Sequence, residues 1–161
     1  MEKEACCAGV GAAQQNIEEH VSRGKWGVIS VMGGPEASFA YTVGLHHKGL
    51  PELIMVGLYP KLAMDLLNDC ATRMIEQQAA FKHGTKVEGI ANMPLALIDL
   101  LDEQKHEYAI QAFNHYRHWE FGMQQLVMPD AKGVFPWEGN FDKRMEAIQP
   151  VLGAPPADAV H

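Results

Sequence analysis

Apolar positions along the chain follow two different periods. From residue 12 to residue 23 they recur at every fourth position, which predicts a short amphipathic helix that ends at Gly24. The segment 26–32 is rich in β-branched residues and stops at a Gly-Gly-Pro turn. The segment 37–45 alternates large apolar residues with small or polar ones. Both segments therefore predict strands.

The middle of the chain predicts a buried strand followed by a helix. Residues 52–58 form a nearly continuous apolar run, which is typical of a strand covered on both faces and so central in its sheet. Pro60 suits the first turn of a helix, where its missing N–H group costs nothing. The apolar residues of that helix fall on one predicted face: Leu62, Leu66, Leu67, Cys70 and Met74.

The C-terminal half is less regular. Residues 86–91 predict a short strand, whereas residues 95–101 fit either a strand or a short buried helix. Residues 103–119 predict one helix, with Gly122 as its stop. Residues 123–128 predict a strand, and the turn chemistry of residues 129–133 predicts a hairpin that returns through Val134 and Phe135.

These elements predict an α+β fold, with a mixed or mainly antiparallel sheet of four to six strands and two or three packed helices. A length of 161 residues is typical of one domain. We expect a single globular domain over residues 12–152 and flexible tails at residues 1–11 and 153–161.

Charge and cysteine content narrow the classes of partner and compartment. The chain has 13 basic and 20 acidic residues and a net charge of −7, so its surface repels phosphate backbones and nucleic acid is a poor partner. We expect neither a membrane span nor a secretory signal. Cys6 and Cys7 are adjacent and Cys70 lies on an apolar helix face, which is no disulfide framework. A reducing cytoplasm is the predicted location.

Several segments, in order from Ile17 to Leu152, resemble a bacterial family known as domain of unknown function 4262. They are Lys25-Trp26-Gly27-Val28, residues 39–45 (Phe-Ala-Tyr-Thr-Val-Gly-Leu), Pro51-Glu52-Leu53-Ile54, Gly57-Leu58, Leu66-Leu67-Asn68, Pro129-Asp130, Gly133 and Phe135-Pro136-Trp137-Glu138. The resemblance implies kinship and a bacterial source, and it carries no activity or catalytic residues with it. The second predicted strand also faintly resembles flavin-reductase-like split barrels, a likeness that is too short to carry a flavin claim.

Histidines are the first candidates for chemistry, since the chain has eight of them. His115 and His118 are three residues apart on a predicted helix and would share a face, which suits metal ligation if His46 or His47 supplies a further ligand. No His-x-x-x-His pair is found in the sequence, and neither His115 nor His118 follows a glutamate at the Glu-x-x-His spacing. We therefore favour solvated surface histidines over a metal site.

The aromatic loop at residues 135–141 is the second candidate. Trp137 would serve as a stacking platform in a pocket, with Glu138 or Asp130 as a polar contact. The alternative, which we favour, is that Phe135 and Trp137 cover one end of the core. On the predicted strand 37–45, Thr42 shares a face with small residues, which leaves room for a helix, a ligand or a second subunit, and a helix is the favoured occupant.

No complete catalytic set is found in the sequence, and no Gly-x-Ser-x-Gly elbow or phosphate-binding glycine loop. The leading hypothesis is thus an accessory binding module, with an unknown protein or small-molecule partner and self-association left open. Its predicted pocket or interface includes Thr42, His46, His47, Asp130, Trp137 and Glu138. The alternative is a small enzyme that uses histidines with a bound metal or a flavin. The sequence names no cofactor.

Overall fold

The computed structural model describes residues 17–31 and 38–156. Residues 17–22 form the described part of helix α1. The other helices are α2 (Pro60–Gln77), α3 (Asp102–Tyr108), α4 (Ile110–Tyr116) and α5 (Lys143–Ile148). The strands are β1 (Gly27–Val31), β2 (Phe39–Val43), β3 (Glu52–Val56), β4 (Thr85–Val87), β5 (Leu95–Asp99) and β6 (Met123–Val127). A 3₁₀ helix, Leu45–Lys48, joins β2 to β3, and we name it the histidine turn.

The six strands form one sheet in the order β1-β2-β3-β6-β5-β4. Strands β3 and β6 pair in parallel, and the other four pairs are antiparallel. The fold is therefore α+β with a mixed, mostly antiparallel sheet, as predicted. Over the described residues the sheet is open, with β1 and β4 at its edges, which gives the split-barrel likeness no support.

Both faces of the sheet are covered, so the core has two halves. On one face, Leu53 and Met55 of β3 pack in a cluster with α2. On the other face, Ile54 and Val56 pack with Ile17 of α1 and with the junction between α3 and α4. Every residue of β3 is buried, which confirms the central strand that its apolar run predicts.

Helix α2 confirms the helix predicted after Pro60. As predicted, the buried residues of this helix include Leu66, Leu67, Cys70 and Met74. The prediction that Leu62 lies on the same apolar face is wrong, because Leu62 is 45% exposed. The helix packs against β2 on the face of Ala40, which is the small-residue face expected to receive a helix.

The helix predicted over residues 103–119 is wrong as a single element. It is interrupted at Ala109, where ψ is 47°, and it ends at Arg117 in the left-handed region rather than at Gly122. Ala109 is fully buried, and its small side chain packs against the sheet at the break. No local pattern in the sequence reveals this packing.

The hairpin predicted at residues 129–135 is also wrong. The turn forms, with the Asp130 N–H donating to the Val134 carbonyl at 2.8 Å, but residues 134 and 135 form no strand. The carboxylate of Asp130 accepts N–H groups of the same loop and folds the segment onto itself. The ambiguous segment 95–101 resolves as a strand, and the strand predicted at 86–91 is present as the three-residue β4.

The predicted ends of the domain are only partly described. The tail at residues 1–11, the Gly33-Gly34-Pro35 turn and residues 157–161 lie outside the described residues. Residues 150–156 run along the sheet: Gln125 donates to the Pro150 carbonyl and accepts from the Leu152 N–H, and Leu152 and Pro156 are buried. No helix in the described ranges combines the length and apolarity that a membrane crossing needs.

Candidate functional site: a histidine cluster above a buried glutamate

A buried carboxylate lies where the histidine turn meets the sheet. Glu52 is the first residue of β3, and its solvent exposure is zero. A buried carboxylate is costly unless hydrogen bonds surround it. Its two oxygens accept from five donors: the Thr42 hydroxyl (2.7 Å), the N–H groups of Gly44 (3.0 Å), Leu45 (3.3 Å) and His46 (3.2 Å), and the Tyr116 hydroxyl. We call this set the buried acid network.

The backbone of the histidine turn is shaped to enclose that carboxylate. Gly44 precedes the turn with a φ of 125°, a backbone conformation that residues other than glycine rarely adopt. A Cβ atom at this position would lie 3.0 Å from the Cα of Trp26. This bend directs three successive N–H groups at Glu52. Thr42 is fully buried, and its hydroxyl also accepts from the Leu53 N–H at 2.9 Å. Thr42 therefore supports the site from inside the sheet.

Burial controls the protonation of this network. It raises the pKa of Glu52 above its ordinary value, while hydrogen bonds from Tyr116 and Thr42 oppose that rise. The pKa of Tyr116 is also raised, first by burial and then by the negative charge of Glu52. Tyr116 consequently keeps its proton at neutral pH and remains a hydrogen-bond donor.

Four imidazole rings surround the ring of Tyr116, and we name them the histidine cluster. His46 and His47 come from the histidine turn, and His115 and His118 come from the end of α4 and just beyond it. Their centroids lie 5.0, 5.1, 4.8 and 6.0 Å from that of Tyr116, in the same order. Tyr116 thus joins the buried acid network to a histidine-rich surface.

The structure brings together the four histidines that the sequence proposed as site residues. Their arrangement differs from the predicted one, however. His115 lies on α4, whereas His118 follows Arg117, whose φ of 67° ends the helix, so the two do not share a helix face. His118 instead lies beside His46, at 5.7 Å between ring centroids.

A chain of three side chains crosses the cluster. The Nε2 atoms of His47 and His115 are 2.8 Å apart, and the Nδ1 atom of His115 is 2.8 Å from a carboxylate oxygen of Glu18 on α1. The side chain of His115 is only 7% exposed, which holds its ring in place. Glu18 fixes the orientation of His115 because its carboxylate accepts the Nδ1 proton.

The two histidines of the turn favour their neutral form. Partial burial lowers the pKa of His46 below its usual value, and nearby His118 and Lys105 lower it further. The pKa of His47 is lowered by partial burial and then by His115 and His46, against the opposing charge of Glu18. Neutral imidazoles can donate and accept hydrogen bonds, and they are also the form that ligates metals.

The described residues contain no group of three or more His, Cys, Asp or Glu side chains arranged to hold a metal ion. The histidine cluster therefore offers at most a pair of ligands, His47 and His115, from the protein itself.

The aromatic loop candidates lie elsewhere. Glu138 lies near Lys86 on β4. In the sheet, β4 is four strands away from β2, and neighbouring strands are about 4.8 Å apart. Asp130 follows the end of β6, whereas Glu52 pairs with Met123 at its beginning. Asp130, Trp137 and Glu138 consequently do not form one site with the histidines.

Within that loop the polar side chains stabilise the loop itself. The buried Asp130 carboxylate accepts the N–H groups of Lys132, Val134 and Asp142, and the bond from Val134 most strongly lowers its pKa. Glu138 accepts the Phe135 N–H at 2.9 Å. Trp137 is partly buried and stacks on Phe135 with ring centroids 5.5 Å apart. A binding role for this loop stays a prediction.

Sequence reasoning missed three residues of the site: Glu18, Glu52 and Tyr116. A signal for Glu52 was present, since a charged residue that opens a strand buried on both faces must find partners. Thr42, Gly44 and Glu52 also lie in segments that carry the family resemblance. Tyr116 matched a helical apolar face, and Glu18 had no signal because its partner is 97 positions away.

The fold and site define a small α+β protein with a histidine cluster above a buried carboxylate. The sequence profile of a domain of unknown function (DUF4262) matches residues 20–142, more than half of the chain. The chain therefore belongs to the DUF4262 family. No curated protein and no solved structure matches it significantly.

Proposed function

We propose that the chain is a binding module whose ligand contacts the histidine cluster. The observation that carries this proposal is the convergence of four imidazoles from two distant segments around Tyr116. His47 and His118 are exposed and His46 is partly buried, so these three rings are accessible to a ligand at the surface. A ligand that imidazole nitrogens can coordinate or hydrogen-bond suits this surface.

The buried acid network supports the proposal by making the surface rigid. Glu52 fixes the backbone of the histidine turn at three N–H groups and fixes α4 through Tyr116. A preorganised site loses less conformational freedom when it binds. We propose that the cost of burying Glu52 is retained for this reason.

The proposed site differs from the sequence-based one in leaving out the aromatic loop. Asp130 accepts loop N–H groups with both carboxylate oxygens, and Glu138 accepts one with a single oxygen. Trp137 stays a candidate for a separate interface. A cytoplasmic location, a partner other than nucleic acid, and self-association all stay predictions that rest on the sequence.

A small enzyme is the second candidate, and the Glu18, His115 and His47 chain favours it. A carboxylate that orients one imidazole toward another is suited to moving a proton. Cys70 is a poor nucleophile for such an enzyme, because it is buried on α2 and burial raises its pKa to about 12. The binding module is preferred because it requires only the groups that the cluster presents.

Ring spectra of the histidines test the proposal. Protein labelled with ¹⁵N in histidine would be titrated separately with acetate, inorganic phosphate and Zn²⁺ while the ring nitrogen signals are followed by NMR. We expect at least one probe to shift the four cluster histidines and to leave His83 and His106 in place. The proposal is wrong if no probe moves the cluster signals, or if all histidines respond alike.

A further inference from the structure

We propose that His47 and His115 bind a divalent transition metal ion through their Nε2 atoms, with Glu18 orienting His115. This inference rests on the proposed function and names the ligand of the same site. Zn²⁺, Ni²⁺ and Cu²⁺ form the class that imidazole ligands prefer.

The distance between the two nitrogens is the first observation. The two Nε2 atoms face each other at hydrogen-bond distance, 2.8 Å, with the ring planes nearly perpendicular at 87°. Metal–nitrogen bonds of about 2.0–2.1 Å place two ligand nitrogens about 2.9 Å apart at a right angle and about 3.3 Å apart at a tetrahedral angle. A metal ion would replace this hydrogen bond, with the rings turned so that both Nε2 lone pairs converge on it and with the His47 proton carried on Nδ1.

The second observation is the carboxylate behind His115. Metal-ligating histidines commonly donate their other ring N–H group to a carboxylate, which fixes the ring and makes it a better ligand. Glu18 occupies this position, with 2.8 Å between its oxygen and Nδ1 of His115. The side chain of His115 is 7% exposed and that of Glu18 is 55% exposed, so the pair lies just below the surface.

The remaining coordination positions would be open. Because the described residues supply no third ligand, water or a bound small molecule would complete the shell. A structural metal site is normally closed by four protein ligands, whereas an open site leaves room for exchange. The metal would therefore serve as the point at which another ligand attaches.

Zn²⁺ binding to metal-stripped protein tests this assignment. Cys6 and Cys7 lie outside the described residues and are themselves metal ligands by chemistry, so all measurements use a background with both changed to Ser. We expect one Zn²⁺ per chain by isothermal titration calorimetry. His47→Gln and His115→Gln should each weaken binding at least about tenfold, and Glu18→Gln about tenfold, as for other groups that orient a metal ligand.

His106→Gln is the matched control, since His106 is an exposed histidine on α3 outside the cluster, and its Zn²⁺ affinity should not change. Thermal melts would check that each variant folds. If a variant does not fold, NMR of the unsubstituted site decides instead, with Zn²⁺ expected to shift the Nε2 signals of His47 and His115 before those of His46 and His118.

The inference is overturned if Zn²⁺ does not bind, or if His47→Gln and His115→Gln retain full affinity. In that case a cluster response to acetate or phosphate would preserve the proposed binding function while removing the metal. The absence of any response from all three probes would remove both.

Discussion

Glu52 is the residue on which the local structure of the site depends. Both carboxylate oxygens of Glu52 act as hydrogen-bond acceptors. Three of their donors are backbone N–H groups, which can donate a hydrogen bond but cannot accept one. An amide in place of the carboxylate would turn an NH₂ group toward one set of them. A buried donor left without an acceptor costs about 1–3 kcal/mol.

We therefore expect Glu52→Gln to lower the free energy of unfolding by about 1–3 kcal/mol at pH 7, measured by urea denaturation. Glu76→Gln is the control, because Glu76 is exposed on α2 and such surface changes stay within about 0.5 kcal/mol. Equal stability of the two variants would show that the five hydrogen bonds do not hold the turn.

Trp137 packs against one end of the core. Its ring lies parallel to Phe135 at an interplanar angle of 5° and packs on the cluster of Ala96, Ile98 and Val127. We expect Trp137→Phe to lower the free energy of unfolding by about 0.5–1.5 kcal/mol, because part of this stacked contact is lost. A thermal melt that does not move would instead favour an exposed platform for binding.

At the scale of elements, α2 is the helix that covers the face of the sheet formed by Leu53 and Met55. Leu66 lies on its inner side with 7% exposure, and Leu62, one turn earlier, is 45% exposed. The two leucines provide the same substitution in two environments on one helix.

We expect Leu66→Ala to lower the free energy of unfolding by about 2–5 kcal/mol, since it leaves a cavity in the core. Leu62→Ala should cost markedly less, because solvent already reaches that side chain. Chemical denaturation of both variants gives the comparison, and a cost for Leu62→Ala equal to that of Leu66→Ala would contradict the orientation of α2.

Strand β3 and helix α2 were predicted correctly from local sequence signals. The run at residues 52–58 predicted a strand buried on both faces, and Pro60 predicted the start of α2, since both signals are local. The break at Ala109 and the missing return strand after Asp130 were not predictable in this way. The first accompanies the burial of a methyl group against the sheet, and the second depends on side-chain hydrogen bonds to loop N–H groups.

At the scale of the whole molecule, the histidine cluster should make stability depend on pH. The pKa values of His46 and His47 are lowered by folding, whereas in the unfolded chain they lie near 6.5. Just below pH 6.5 the unfolded chain therefore binds more protons than the folded one. The free energy of unfolding falls as the pH drops through that window.

We expect metal-free protein to lose stability between about pH 7 and pH 5, and the double variant His46→Gln, His47→Gln to lose less over the same range. The titration of Glu52 changes stability in the opposite direction, because a raised pKa contributes stability that is lost as the pH rises. Glu52 is present in both proteins, so its contribution cancels when their curves are compared. Urea denaturation at several pH values provides the measurement. Parallel curves for the two proteins would contradict the lowered pKa values.

The strands up to β3, helix α2 and the α+β class of the fold could be predicted from the sequence alone. Apolar periodicity, the proline at the start of α2 and the glycine after α1 act on neighbouring residues, so their consequences can be read locally. Even the residues of the histidine cluster were named as candidates, because their side-chain chemistry is visible in the sequence.

Only the tertiary structure decided which of those candidates meet. The parallel pairing of β3 with β6 places Glu52 beside the start of β6, and packing of α4 on β2 brings Tyr116 and His115 over the histidine turn. These contacts join residues 64 to 97 positions apart. Such contacts have no local pattern, since they form only after the sheet and its covering helices have buried their apolar faces together.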